Sequence, residues 1–161
     1  MIAAAHKGKV AVENVLGHPA KINYTVIPAG IFTLPEVGRV GMTEKQARER
    51  AQAIGQNPDD AVRVGRFRYA ALGKAQATGD STGLFKIVAD TESGKILGAH
   101  IVGAHAADLI HEAALAMECE VTVAQMAKMI HAHPTLAEGM VEAVEDVEGR
   151  AIHQIRKKTG V

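Results

Sequence analysis

Between Val62 and Gly103 the chain alternates as a strand does, and after Gly103 it switches to a helical period. Val62-Arg-Val-Gly-Arg-Phe-Arg-Tyr69 alternates apolar with basic residues on either side of Gly65, which predicts a strand of a sheet with one covered and one partly wet face. Gly83-Leu-Phe-Lys-Ile-Val-Ala89 and Ile96-Leu-Gly-Ala-His-Ile-Val-Gly103 flank the turn Asp90-Thr-Glu-Ser-Gly-Lys95, which predicts an antiparallel hairpin. From 105 to 119, Ala107, Ile110, Ala114 and Met117 share one helical stripe, and Val123, Met126, Ala127 and Ile130 predict a second short helix. Strands first and helices afterwards implies an α+β fold, an antiparallel sheet with helices packed on one face.

The preceding segments read as accessory pieces. Val12, Val15 and Leu16 fall at helical spacing before Gly17, a natural helix stop. Residues 23 to 41 are rich in β-branched side chains and broken by Pro28 and Pro35, which predicts short bent strands. Thr43-Glu-Lys-Gln46 has the form of a capping box, so a helix should run from there to about Gly55.

The chain has 161 residues, the size of one ordinary domain, and 47% hydrophobic with 22% charged residues places it among globular chains. No apolar run is long enough for a bilayer, and the first residues lack the apolar core of a secretory signal. A cytoplasmic compartment is the expectation, or the mitochondrial matrix in a eukaryote. Eighteen basic residues balance eighteen acidic ones, and aromatics are only 3% without Trp, so nucleic acid is an unfavourable partner. The single cysteine, Cys119, has acidic neighbours Glu118 and Glu120 and reads as inert. No Gly-x-Gly-x-x-Gly or phosphate loop occurs.

Chemistry concentrates in His131-Ala-His-Pro-Thr-Leu-Ala-Glu138. Pro134 disfavours helical angles at His133, and is itself expected at or near the first helical position, so His133 should precede a helix with its imidazole free to project. Glu138, just over one turn later, could accept a hydrogen bond from Nδ1 and leave Nε2 to take a proton. Thr135 to Glu138 is equally a capping box that needs no catalytic explanation. His131, His133 and Glu138 could also hold a metal, but lack a recognised ligand spacing. The same applies to His105, Asp108, His111 and Glu112, which read as a solvated helix face. His100, on a strand, is expected as a satisfied core residue.

Ala5-His-Lys7, Phe32-Thr-Leu-Pro-Glu-Val37, Val40-Gly-Met-Thr-Glu44, Gly83-Leu-Phe-Lys86, Gly98-Ala-His-Ile-Val-Gly103 and the His131 to Glu138 run, in this order, resemble the C-terminal part of dihydrolipoamide dehydrogenases, in the pyridine nucleotide-disulfide oxidoreductase family. Gly149-Arg-Ala-Ile-His153 and the Lys157-Lys158 tail are similar as well. The resemblance implies a dimerisation domain over residues 20–161, preceded over residues 1–19 by the last helix of an FAD-binding domain. It implies a homodimer that passes electrons from dihydrolipoamide through a cysteine pair and FAD to NAD, serving 2-oxo acid dehydrogenase complexes. His133 would be the acid/base residue and Glu138 its orienting partner, acting on the opposite subunit, with the main chain at His133 and Pro134 against that subunit's FAD. One cysteine cannot supply the redox pair, so this chain alone should not turn over. Lys74 stands where the family usually has Arg, and Ala137 where Ser is common. The alternatives are the interface domain of a glutathione-reductase-like enzyme, against which Ala132 and Leu136 weigh, and a small metal-binding protein.

Overall fold

The computed structural model describes residues 2–154; Met1 and residues 155–161, with the Lys157-Lys158 pair, lie outside them. The elements are α1 (Ile2–Val15), β1 (Ala29–Ile31), β2 (Val37–Gly41), α2 (Glu44–Ala53), α3 (Pro58–Ala61), β3 (Val62–Arg68), α4 (Gly73–Thr78), β4 (Leu84–Asp90), β5 (Ile96–Val102), α5 (Ala106–Glu118), α6 (Val123–Met126) and α7 (Glu138–Val147). The five strands form one sheet in the order β1-β2-β5-β4-β3, every pair antiparallel. The hairpin of β4 and β5 closes at the expected turn, where Asp90 Oδ1 accepts from the amide and hydroxyl of Ser93.

Alternation places Val40, Phe67, Phe85, Ile87, Ala99 and Ile101 on one face of the sheet. The buried stripe of α5 (Ala106, Ile110, Ala113) and that of α7 (Met140, Ala143, Val144) cover them. Two glycines let the helices come this close. A Cβ at Gly38 would lie 2.2 Å from the Ala106 carbonyl oxygen, and one at Gly65 would lie 2.0 Å from that of Ala143. Tyr69 stacks on Phe85 at 4.9 Å between ring centroids and donates its hydroxyl to the Ala104 carbonyl, so the core aromatic leaves no polar atom stranded. This is the expected sheet with α5 and α7 on one face; the other face is not bare, because α2 lays Ala47 and Ala51 over Val62 and Val88.

Thr43 caps α2 through the complete reciprocal box with Gln46. Thr43→Ala should therefore lower stability by about 1 kcal/mol, read as a shift in the urea midpoint with unchanged slope. Beside α2 the same face carries a row of basic positions set by register, Arg39, His100, Lys86 and Arg66, on four adjacent strands. Glu44 bridges Lys86 at 2.8 Å and Arg66 at 2.7 Å. The Lys86 hydrogen bond is the chief cause holding its carboxyl below the ordinary range, with Arg48 and Arg66 adding to it.

The expectation for His100 needs correcting: neither ring nitrogen has a partner among the described residues. Its flanking strands offer cations rather than acceptors. Burial, then Lys86 and Arg39, push its pKa below the ordinary value. A depressed imidazole pKa stabilises the fold above the unfolded value of about 6.5 and loses that contribution as pH falls below it. Urea unfolding at descending pH should thus show a loss of stability below about pH 6.5 that His100→Gln reduces.

The expected first helix is present as α1, which ends just before Gly17, with Val12, Val15 and Leu16 exposed. One helical expectation changes. The second short helix stops at Met126, and Ile130 stands 96% exposed rather than on the buried stripe.

Candidate active site

The chain from Ala127 to Ala137 joins two helices, and His133 sits within it ahead of a cis peptide to Pro134. Pro134 does not open the following helix as expected. α7 starts at Glu138, after Ala137, which makes no side-chain cap bond. The reason lies in how the Thr135 and Glu138 side chains are used. The Thr135 hydroxyl donates to the Ala132 carbonyl at 2.8 Å, tightening the turn instead of capping the helix. Glu138 supplies the other half of the box, its Oε2 accepting from the Thr135 amide at 2.8 Å.

The remaining oxygen of Glu138, Oε1, lies 2.8 Å from His133 Nδ1. An ionised carboxylate only accepts, so Nδ1 carries the hydrogen and Nε2 keeps its lone pair. Burial works to raise the Glu138 pKa, and the Thr135 amide, the His133 hydrogen bond and the charges of His133 and His131 outweigh it, leaving it below the ordinary value. The carboxyl thus stays ionised through the neutral range. The His133 side chain is 76% exposed, whereas Glu138 is 25% exposed. A ring open to solvent at Nε2 and fixed from behind at Nδ1 is the arrangement that general acid/base transfer requires.

Of the other residues singled out from the sequence, His105 takes a left-handed conformation before α5, 3.7 Å from Asp108, with both side chains exposed. Glu112 is drawn elsewhere, onto His131 Nε2 at 2.9 Å. His131 and His133 thus pair with different carboxylates instead of converging. Among the described residues, no group of three or more His, Cys, Asp and Glu side chains has a metal-holding arrangement. Cys119 is exposed at the end of α5.

Besides the Glu112–His131 pair, a second pairing escaped the sequence reading. Glu142, one turn along α7 from Glu138, is 7% exposed and accepts from the amides of Ile152 and His153 and from the His153 ring. That contact raises the His153 pKa. An acidic residue on the buried stripe of an amphipathic helix was the available signal for it.

A family model described as the pyridine nucleotide-disulphide oxidoreductase dimerisation domain matches residues 27–144, which include the whole sheet from β1 and His133 with Glu138. The chain belongs to this family of dimerisation domains. Among curated relatives, the dihydrolipoyl dehydrogenase of Halobacterium salinarum is 43% identical over 96% of the chain and 31% of its own length. That of Geobacillus stearothermophilus is 42% identical over the same shares, 96% and 31%. The chain therefore spans about a third of the length of these relatives. In structure the domain is similar to LpdA from Mycobacterium tuberculosis, with a TM-score of 0.76 and 25% identity over 88% of this chain and 29% of that one. The fold recurs in RclA of Escherichia coli, an HOCl-induced flavoprotein disulfide reductase, with a TM-score of 0.70 over 83% of this chain and 30% of that one. Among the described residues, no helix of the dimerisation domain is long and apolar enough to cross a membrane.

Proposed function

We propose that the chain is the dimerisation domain of a dihydrolipoyl dehydrogenase, residues 20–161, entered through the last helix of the FAD domain, residues 1–19. In this reading it pairs with a second copy and donates His133 to a site built on the opposite subunit. The observation that carries the reading is the fixed tautomer: Glu138 Oε1 on His133 Nδ1 at 2.8 Å, with the imidazole exposed. Both relatives are dihydrolipoyl dehydrogenases, which supports the substrate class.

Within the chain the fit to a cofactor is specific. The sheet is wholly antiparallel and the sequence has no Gly-x-Gly-x-x-Gly turn, so among the described residues the crevice at the ends of parallel strands that cradles a dinucleotide does not form. An exposed imidazole beside the His133–Pro134 main chain suits a flavin offered from outside, and those residues would lie against it. FAD, bound by the remainder of the protein, would supply the passage of electrons from a reduced cysteine pair to NAD. Nε2 of His133 accepts the proton of the dithiol substrate as its sulfur turns to attack the disulfide. Glu138 stabilises the imidazolium so formed and returns the ring to the same tautomer when the proton leaves. Assembly with 2-oxo acid dehydrogenase components follows from the same reading.

The test is a chimera in which this chain replaces the corresponding third of the Geobacillus stearothermophilus enzyme. It should assemble as a yellow dimer that reduces NAD with dihydrolipoamide and has little action on glutathione disulfide. A folded, flavin-loaded chimera that prefers glutathione disulfide would overturn the substrate assignment.

A further inference from the structure

The loop bearing His133 packs on the core at its ends, through Ala127 and Leu136, and is thinly anchored between them. Lys128, Met129 and Ile130 before it, and Ala132, His133 and Pro134 after, all face solvent. The inward-turned side chain is that of His131, 6% exposed, whose Nε2 meets Glu112 Oε1 at 2.9 Å. Glu112 stands on α5, which packs on β2 and β5, so this contact ties the middle of the loop to the body of the domain, between the ends that Ala127 and Leu136 pack against the core. The Thr135 to Ala132 bond lies inside the turn itself and fixes nothing to the sheet. His131 Nδ1 is buried with no partner among the described residues. Glu112 is therefore the sole polar group among them holding that ring in the interior, and without it a buried imidazole would lack any hydrogen bond.

We propose that Glu112 and His131 are a positioning pair, bracing the loop so that the His133 imidazole stays seated on the Glu138 carboxylate. This rests on the reading of His133 as the acid/base residue. Neither member touches substrate; they act through the residue two places along the chain. The pairing also explains why an acidic residue interrupts the half-buried side of α5, where an apolar one would pack as well.

The test is the ring 15N spectrum of His133 in this chain at about pH 8.5, two units above the ordinary imidazole pKa of about 6.5. In the wild type the tautomer with hydrogen on Nδ1 should predominate. In Glu112→Ala and in His131→Phe, each verified as folded by its amide spectrum, that tautomer should fall below half. Glu112→Gln, whose amide oxygen still accepts from Nε2, should retain it. A folded Glu112→Ala or His131→Phe with wild-type His133 signals overturns the brace while leaving His133 in its role. Failure of both to fold also overturns it, since the pair would then support the whole domain instead of the loop. A wild-type His133 without the Nδ1 tautomer removes the acid/base reading itself, and the brace with it.

Discussion

In the chimeric enzyme, His133→Gln lowers turnover on dihydrolipoamide by about 100- to 10,000-fold, the usual span for losing a general acid/base. The substitution leaves stability within about 0.5 kcal/mol, because the ring is 76% exposed and contributes little packing. Steady-state kinetics beside a denaturation curve reads both quantities. Glu138→Gln should produce a smaller loss of turnover, since an amide still accepts from Nδ1 but brings no charge to stabilise the imidazolium. The acid side follows from the depressed Glu138 pKa. Its contribution to stability is present above the ordinary value of about 4.5 and is lost as pH falls through the folded one. A His133→Gln enzyme within twofold of the parent would remove His133 from the chemistry.

The second large effect is on the core. Phe85→Ala should cost about 3–5 kcal/mol, against a total stability of about 5–15 kcal/mol for a domain of this kind. Phe85 is fully buried, stacks on Tyr69, and lies so near Gly139 that a Cβ there would meet its ring at 2.3 Å. Gly139 directly follows Glu138, so the cavity would open beneath the start of α7 and loosen the carboxylate that orients His133. Urea unfolding should show the lost stability, and even below the transition the Nδ1 tautomer of His133 should become less populated. A cost under about 1 kcal/mol would mean that the site collapses around the missing ring, contrary to the close packing described.

The β4–β5 hairpin could be read from the sequence because two apolar runs flank a polar turn; in β3 the apolar positions change face at Gly65, so Val62 and Phe67 serve opposite sides of the sheet. The α2 start was equally plain, since Thr43 and Gln46 satisfy each other locally. The reading failed where tertiary partners decided. Ile130 has the spacing of a helix face, yet the helix ends at Met126 and the loop turns His131 inward instead. Thr135 to Glu138 fits a capping box, but the carboxylate is divided between the Thr135 amide and His133, and the helix begins later. A four-residue pattern cannot state whether a hydroxyl will accept from a helix amide or donate to a carbonyl behind it. His100 looked like a core residue with a partner, but sheet register set Arg39 and Lys86 beside it. The Glu112–His131 and Glu142–His153 pairs span 19 and 11 residues, and no local period announces them.

The central claim, that His133 serves the opposite subunit, is tested most directly by mixed dimers of the chimera. One partner carries His133→Ala, and the other has its redox cysteine pair, supplied by the Geobacillus part, changed to Ser. Each variant alone should be inactive. If His133 crosses the interface, a mixed dimer contains one site with both an intact cysteine pair and an intact His133, and dihydrolipoamide oxidation returns. If His133 serves its own subunit, neither site is complete, and mixed dimers as inactive as their parents would contradict the account.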